Sequence, residues 1–535
     1  QAVCEGCGDC GVVSNCVSLL PVETELGRKR AIDQSSCNKD YSCVKGFCPS
    51  FVTVEGGQLR KKARDKVPSP FELGPLPEPE KASLEAWAGR VWGVVVAGVG
   101  GTGVITIGQL LGMAAHMEGK GIVTQDAGGL AQKGGATWSH VLIAASQDDI
   151  RTTRVSMAAA DLVIGCDPIV TAGKETMARM REGRTHVALN SNSTPTAAFV
   201  KNANWQNPAE ACAAAIATAV GSAGVAAFNA DAAATRLMGD SIYTNPMMLG
   251  FAWQKGWIPL GRDSLLRAME LNAVAVDNNK AAFEWGRRAA HDWPSVEKLL
   301  APAQVLQFKR RESLDDLVTR RVEFLTSYQN AAYAQRYKAF VDKVRARESV
   351  LGKTLLAESV ARYLFKLMAY KDEYEVARLH TDSSFLARVN GMFEGDFKLN
   401  YHLAPPILSK RNAKGELQKR KFGPGVLTMM RMLARLKGLR GTAWDLFGQT
   451  DERREERALI VDYMASIEEV LKTLDATNLE AAVEVARLPE LIRGYGHVKA
   501  RNLAAVRVQW QACMERWRAP AAQPSESKVV GVARA

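Results

Sequence analysis

Seven of the chain's ten cysteines fall within its first fifty residues. Three of them, in Cys4-Glu-Gly-Cys7-Gly-Asp-Cys10-Gly, stand two residues apart. A glycine-loosened loop of that spacing can turn its sulfurs to one side while backbone N–H groups point the same way, the geometry that wraps an iron–sulfur cubane. A bacterial ferredoxin run continues with a fourth cysteine after three residues and then proline. Here Cys16 follows after five residues, and the Cys-Pro step is Cys48-Pro49. The spacing therefore favours Cys4, Cys7 and Cys10 with the remote Cys48 as ligands of one [4Fe-4S] cluster. Cys16, Cys37 and Cys43 form a second group, one thiol short of a four-cysteine site. A second cluster stays open, and it would need a non-cysteine ligand or a shared arrangement.

Two other uses of cysteine compete. Zinc ribbons show paired Cys-x2-Cys hairpins a dozen or more residues apart, unlike this triple with unevenly spaced cysteines behind it. A disulfide framework fits less well, because the rest of the chain holds only Cys166, Cys212 and Cys513 and shows no secretory signal.

At 535 residues, 47% of them hydrophobic, the chain has material for about three domains with buried cores. The longest apolar stretch, Ala209 to Ala230, is alanine-rich and broken by glycine and serine, so it reads as a helix of a soluble, cytoplasmic protein with no membrane span. A net charge of +12 would suit nucleic acid, an anionic surface or an acidic protein partner. No nucleic-acid-binding signature accompanies it; a basic docking face for an acidic electron carrier and a generally basic surface without specific purpose are the two readings left. The chain opens at Gln1 and enters the cysteine motif at once, as the downstream part of a longer or trimmed polypeptide would.

Beyond residue 57 a basic run leads into Pro68, Pro70, Pro75, Pro77 and Pro79, a composition that favours an extended linker. From Val91 a strand-like run meets Gly98-Val-Gly100-Gly101-Thr102-Gly103 and then an apolar helical stretch, the opening of a Rossmann-like unit whose glycines let backbone approach an anion at a helix N-terminus. A second strand ends at Asp126, where a ribose-binding acid lies in nicotinamide enzymes. A second glycine loop around Lys133, Gly134 and Gly135 argues against a plain nicotinamide site and makes Lys133 a candidate anion partner, or else a solvated loop charge. From about Trp293 the pattern turns helical, starting with a capping-box-like Ser313-Leu-Asp-Asp316. A loop-rich excursion, Phe385 to Gly425, interrupts it with one or two short strands at most. Arg493-Gly-Tyr-Gly-His497-Val-Lys499 reads either as an anion or substrate site or as a helix end with Gly494 as its cap. His380 and His402 read as structural.

The stretch from Val94 to Ala144, the Asp161 to Pro168 strand and turn, and Tyr243-Thr-Asn-Pro-Met-Met-Leu-Gly250 together resemble the gamma domain of 2-oxoacid:ferredoxin oxidoreductases. The preceding Gln34-Ser-Ser-Cys37-Asn-Lys-Asp-Tyr-Ser-Cys43 and Gly46-Phe-Cys48-Pro49, and the later Tyr370-Lys-Asp-Glu-Tyr-Glu-Val-Ala-Arg-Leu379 and Arg493 to Lys499 segments, resemble the long fused indolepyruvate ferredoxin oxidoreductases. That resemblance implies oxidative decarboxylation of an aryl 2-oxoacid on a thiamine diphosphate and Mg domain. It also implies acyl transfer to coenzyme A and passage of single electrons through [4Fe-4S] clusters to ferredoxin. No thiamine-binding Gly-Asp-Gly with its downstream paired asparagines is present, so the decarboxylating cofactor is expected on an absent domain or a partner subunit.

The expected architecture is α/β plus all-α: a cysteine-rich iron–sulfur segment (1–57), a Pro-rich linker (58–90), a Rossmann-like gamma domain with a mainly parallel sheet (91–290), a C-terminal helical domain (291–518) and a disordered tail (519–535). The expected metal ligands are Cys4, Cys7, Cys10 and Cys48, with Cys16, Cys37 and Cys43 as the second group. Gly98, Gly100, Gly101, Thr102, Gly103 and Lys133 would form an anion-facing turn or a contact with the catalytic domain. Ferredoxin, a thiamine diphosphate-binding partner and a further copy of the chain are the expected partners. The alternatives are an iron–sulfur NAD(P)-dependent oxidoreductase and a non-catalytic basic scaffold or nucleic-acid-binding module.

Overall fold

The computed structural model describes residues 2–34, 36–60, 68–79, 90–128, 135–195, 199–200, 202, 204–300, 313–405, 409–413 and 415–519. The chain begins with the short helix Asp9–Ser14, then the antiparallel hairpin of β1 (Leu19–Thr24) and β2 (Gly27–Ile32). Two further strands follow, β3 (Val52–Glu55) and β4 (Gln58–Leu59). The Pro-rich stretch expected as a free linker is tied down where it is described: Arg288 donates to the carbonyls of Pro70 and Gly74, and Gln254 to that of Pro77. Carbonyls of an extended chain face outward and accept readily from a neighbouring guanidinium, which anchors this stretch to the domain it precedes.

The α/β domain comprises β5 (Trp92–Val99), β6 (Gly121–Gly128), β7 (Ala136–Ala144), β8 (Leu162–Gly165), β9 (His186–Asn190) and β10 (Val225–Phe228), ordered β10-β9-β8-β5-β7-β6. The apolar run of β5 is buried along nearly its whole length, as a central strand covered on both faces must be. Five strands run one way and β7 runs against them, antiparallel to both β5 and β6. The sheet is thus mixed, where a mainly parallel one was expected. The connection from β6 to β7 is too short for a crossover, so the chain turns straight back and fills the slot beside β5. The Ala209 to Ala230 stretch divides into the helix Ala209–Val220 and β10.

One face of the sheet carries the helices Val104–Met117, Thr244–Gln254 and Val276–His291. The helix Trp293–Leu300 joins the same core through buried Val296, so this body extends past the expected boundary at residue 290. Thr244–Gln254 and Val276–His291 cross at backbone contact. A Cβ on Gly250 would collide with the Phe283 carbonyl, and one on Gly286 with the Met247 carbonyl.

The C-terminal region opens with the helix Leu314–Tyr328, whose N-terminus is a reciprocal Ser313–Asp316 capping box. Its core is shared with the helices Ala331–Ser349, Leu355–Met368, Asp451–Lys472, Leu479–Arg487 and Gly496–Arg518. The loop-rich excursion holds β11 (Phe393–Glu394), β12 (Lys398–Leu403) and β13 (Arg420–Phe422). These strands pair with the amino-terminal part of the chain: β3 completes an antiparallel sheet with β12 and β13, and β4 pairs with β11. The cysteine segment and the C-terminal region therefore form one structural unit. The expected disordered tail lies outside the described residues except for Ala519.

The helix crossing gives a direct test. Gly250→Ala and Gly286→Ala should each lower the urea-unfolding free energy by about 1–3 kcal/mol, the usual cost of overpacking. Gly391→Ala, at a helical position with open space around it, serves as the matched control and should leave that free energy nearly unchanged.

Candidate functional site

The loop from Cys4 to Cys10 owes its shape to two glycines, Gly6 (φ 66°) and Gly8 (φ 82°), in the left-handed region that other residues adopt only at a cost. Gly8 is the N-cap of the helix Asp9–Ser14, which places Cys10 in its first turn. The Gly6 N–H donates to Cys4 Sγ at 3.3 Å. Cys43 sits in a 3-10 turn, Ser42–Lys45, packed on that helix. There the Phe47 N–H donates to Asp9 Oδ2 at 2.7 Å, and a Cβ on Gly46 would lie 2.8 Å from Cys10 Cα. Cys48, five residues beyond Cys43, follows with its Sγ 2.9 Å from Ser50 Oγ.

The raised thiols act on one another, and Cys10 also feels Cys43 of the second group. Burial pushes Cys7 well up and Cys10 to about 12; each feels Cys48 next, and Cys4 as well. Burial also raises Cys48, with Cys4 the leading charged neighbour. Cys43 is raised to about 11 by burial, then by Cys16 and Cys37. All ten cysteines are free thiols. Among the described residues no three His, Cys, Asp or Glu side chains converge as a single metal ion requires. The ligands of a cubane, each on its own iron, are spread more widely. Four soft sulfur donors, mutually repelling as thiolates and mostly buried, suit a cluster that supplies the missing positive charge. Arg30 and Lys419 add fixed charge of the same sign: Arg30 opposes the rise at Cys10, and Lys419 the rise at Cys48.

Distant chain closes over this loop. Lys419 Nζ donates to the carbonyls of Gly46 (2.6 Å) and Cys48 (3.1 Å). The Tyr495 hydroxyl donates to the Val3 carbonyl, and Lys371 pairs with Glu5. His380 Nε2 lies 2.8 Å from the Pro49 carbonyl and His402 Nε2 lies 3.1 Å from Thr53 Oγ1, which gives both histidines structural contacts. Toward the α/β domain, Arg28 of the hairpin donates to the Trp205 carbonyl, Arg493 of the C-terminal region donates to Asn204, and the Arg30 guanidinium lies 3.9 Å from the Phe199 ring centre. The thiols thus lie at the junction of the two larger bodies. Sequence reasoning singled out the Arg493 to Lys499 motif without placing it beside the cysteines, and it gave Lys419 no role. In the fold, Gly494 abuts Cys7 and Gly496 abuts Phe47.

Beside the thiols lies a cavity of about 260 Å³ whose walls include Lys29, Arg321, Lys366, Lys371, Arg493 and Lys499. Glu5 is held at about 2: burial alone would raise it, but Lys371, Lys29 and Lys366 outweigh burial. The two readings of the Arg493 to Lys499 motif therefore meet here. It is the entry to the helix Gly496–Arg518, and it also lines a cationic cavity.

The glycine turn after β5 lies elsewhere. Gly103 (φ 95°) caps the helix Val104–Met117, Gly101 is at φ 85°, and Asn245 of the Tyr243 to Gly250 segment donates to the Thr102 carbonyl at 2.8 Å. The Gly100 N–H is taken by the Gly135 carbonyl, and a Cβ on Gly98 would press on Val104 and Cys166 at 2.8 and 2.9 Å. Lys133 lies outside the described residues. Asp126 is exposed on β6, and β7 separates that strand from β5, so the acid does not flank the glycine turn as a nicotinamide site requires.

Residues 93–289, which hold this turn, match the model of the pyruvate ferredoxin/flavodoxin oxidoreductase family. Among curated proteins the chain is similar to indolepyruvate oxidoreductase subunit IorB of Methanothermobacter thermautotrophicus, at 27% identity over 37% of this chain and 97% of that protein. The same subunit of Archaeoglobus fulgidus is 36% identical over 14% of this chain and 35% of its own length. Residues 314–512 match a family of unknown function (DUF6537). Solved structures with local likeness include a keto/oxoacid ferredoxin oxidoreductase gamma subunit from Geobacter sulfurreducens (22% identity, 37% of this chain and 98% of that one, TM-score 0.26). Another is 2-oxoglutarate:ferredoxin oxidoreductase from Magnetococcus marinus (14% identity, 45% of this chain and 38% of that one, TM-score 0.28).

The cationic cavity predicts a pH dependence. Burial carries Lys366 down to about 7 against the pull of Glu5, with Arg493, Lys29 and Lys499 adding to the descent. The unfolded chain keeps that proton to about pH 10.4, so between the two values the unfolded state binds more protons and stability rises with pH. Denaturation at about pH 6.5, 8 and 9.5 should show this rise. Lys366→Met should flatten it by up to ~1.4 kcal/mol per pH unit, and an unchanged slope in the variant would contradict the assignment.

Proposed function

We propose that this chain is the electron-transfer and accessory portion of an indolepyruvate-type 2-oxoacid:ferredoxin oxidoreductase. In this reading Cys4, Cys7, Cys10 and Cys48 hold one [4Fe-4S] cluster and Cys16, Cys37 and Cys43 contribute to a second. The observation that supports it is the gathering of the amino-terminal thiols on a glycine-shaped loop and the turn packed against it, where the α/β domain meets the helical region. Thiamine diphosphate, on a domain or subunit outside this chain, supplies the decarboxylation of an aryl 2-oxoacid, and coenzyme A accepts the acyl group. The residues here hold the relay in place. Lys419 and Arg30 offset its negative charge, Tyr495 and the β3–β12 pairing fix the loop, and the burial of Cys4, Cys10, Cys43 and Cys48 keeps water from the ligands.

The glycine turn from Gly98 to Gly103, with Lys133, is assigned to the contact with the thiamine diphosphate domain. The glycine turn after β5 and the polar ends of β8 and β9 lie at the carboxyl edge of the sheet, where α/β proteins meet ligands and partners. Ferredoxin is the assigned acceptor, and the basic surface would steer an acidic carrier toward the cysteine segment.

Anaerobic purification with iron and acid-labile sulfide analysis, followed by low-temperature EPR after dithionite, tests the reading. Iron with matching sulfide and a reduced-cluster signal are expected. Cys48→Ser should remove most of the signal of one cluster, while Cys212→Ser, in the α/β domain, should leave iron unchanged. Zinc bound without iron would end the proposal.

A further inference from the structure

The second group of thiols lacks a fourth ligand, and the backbone points to one. Cys37-Asn-Lys-Asp40-Tyr-Ser-Cys43 repeats the spacing of Cys4-Glu-Gly-Cys7-Gly-Asp-Cys10, with Asp40 at the place of Cys7. The repeat extends to three dimensions. Cys7 is flanked by Gly6 (φ 66°) and Gly8 (φ 82°), and Asp40 is flanked by Lys39 (φ 60°) and Tyr41 (φ 58°). In the first loop the N–H two residues after Cys4 donates to its sulfur at 3.3 Å. In the second the N–H two residues after Cys37 does the same at 3.4 Å. Gly8 is the N-cap of the turn that carries Cys10, and Tyr41 is the N-cap of the turn that carries Cys43.

Two non-glycine residues in left-handed conformation on either side of one aspartate are uncommon, and such strain persists where the surroundings over-determine the loop. A solvent-exposed turn needing only to reverse the chain would place glycine or asparagine there. The loop instead keeps the shape of its cysteine-only counterpart with a different donor at the middle position.

We propose that Asp40 supplies the fourth ligand, beside Cys16, Cys37 and Cys43, of a second [4Fe-4S] cluster, and that the iron at this carboxylate corner is the exchangeable one. The inference rests on the iron–sulfur reading above. Asp40 counts among the charges that act on Cys43, after Cys16 and Cys37, which places the four donors in one neighbourhood. A carboxylate is a harder donor than a thiolate and holds iron less tightly in a sulfur-rich site. Asp40 is exposed, so its iron faces solvent. In the same loop Asp40 Oδ1 accepts from the Ser42 N–H at 3.0 Å and the Ser42 hydroxyl at 2.9 Å, an Asx turn that asparagine could also make.

That Asx turn sets the controls. Asp40→Asn keeps a cap acceptor but removes the carboxylate, and Asp40→Cys restores the thiol present in the first loop. The anaerobic holoprotein would be analysed for iron and sulfide, then treated with ferricyanide. Ferricyanide takes one electron, Fe²⁺ departs from the carboxylate corner, and [4Fe-4S]²⁺ becomes [3Fe-4S]⁺, which is visible by EPR without reduction. Wild type should carry two clusters and give the three-iron signal with loss of one iron. Asp40→Cys should keep both clusters and lose that signal, and Asp40→Asn should fall to the iron content of one cluster. If Asp40→Asn matches wild type in iron and in the ferricyanide product, Asp40 only caps the turn and the proposal is overturned. Iron for one cluster in wild type, lost in Cys48→Ser, overturns the second site alone; no iron at all overturns the function as well.

Discussion

The structure depends on how a cysteine-rich segment too short to build its own core is held by chain several hundred residues away. Its own elements are one hairpin and two brief helical turns, and a segment of that size buries too little surface to be stable unaided. The fold supplies the rest from outside. β12 adds a sheet neighbour to β3, Lys419 takes two carbonyls beside Cys48, and Tyr495 fixes the carbonyl just before Cys4. The Lys419 and Tyr495 contacts fall on backbone carbonyls at or near a cysteine, which restrains the loop through its main chain.

The same arrangement puts the thiols between the two larger bodies. Phe199 and Trp205 of the α/β domain reach the segment on one side, and the Gly494 to His497 stretch covers it on the other. The segment is thus bordered by both bodies, with Cys4, Cys10, Cys43 and Cys48 buried and Asp40 exposed. The positive charges that surround it are of two kinds. Some are balanced by carboxylates, as in Lys371 with Glu5. Others, such as Lys419, turn toward backbone carbonyls and leave their charge to act on the sulfurs. Buried cations without carboxylate partners lower stability, and their retention here is accounted for by the negative charge a thiolate-ligated cluster would bring.

Much of the chemistry was legible along the chain because it is local. The triple spacing, the glycines that allow it, the strand–glycine–helix opening at Val91 and the Ser313 capping box each depend on residues within one or two turns of one another. Sheet order was not legible in this way. The reversed β7 follows from the short return after β6, which the sequence shows as a second glycine loop but does not orient. That reversal is what separates Asp126 from the glycine turn and removes the main support for a nicotinamide site. The excursion from Phe385 to Gly425 has little hydrophobic periodicity, because its strands are short and bury their faces against β3 and the helix Val426–Arg435.

The sequence alone determined the kind of donor atoms, the grouping of the amino-terminal cysteines by spacing and the character of the two larger regions, since these follow from side-chain chemistry and local backbone preference. Only the tertiary structure decided that the first and last parts of the chain are one unit, that Lys419 and Tyr495 stand over the cysteine loop, and that Lys39 and Tyr41 give the Asp40 loop the handedness of the Cys7 loop. Those are contacts across hundreds of residues, or dihedral angles imposed by packing. Neither leaves a periodic trace in the chain, because long-range pairing is selected by the fit of whole surfaces and not by the residues on either side.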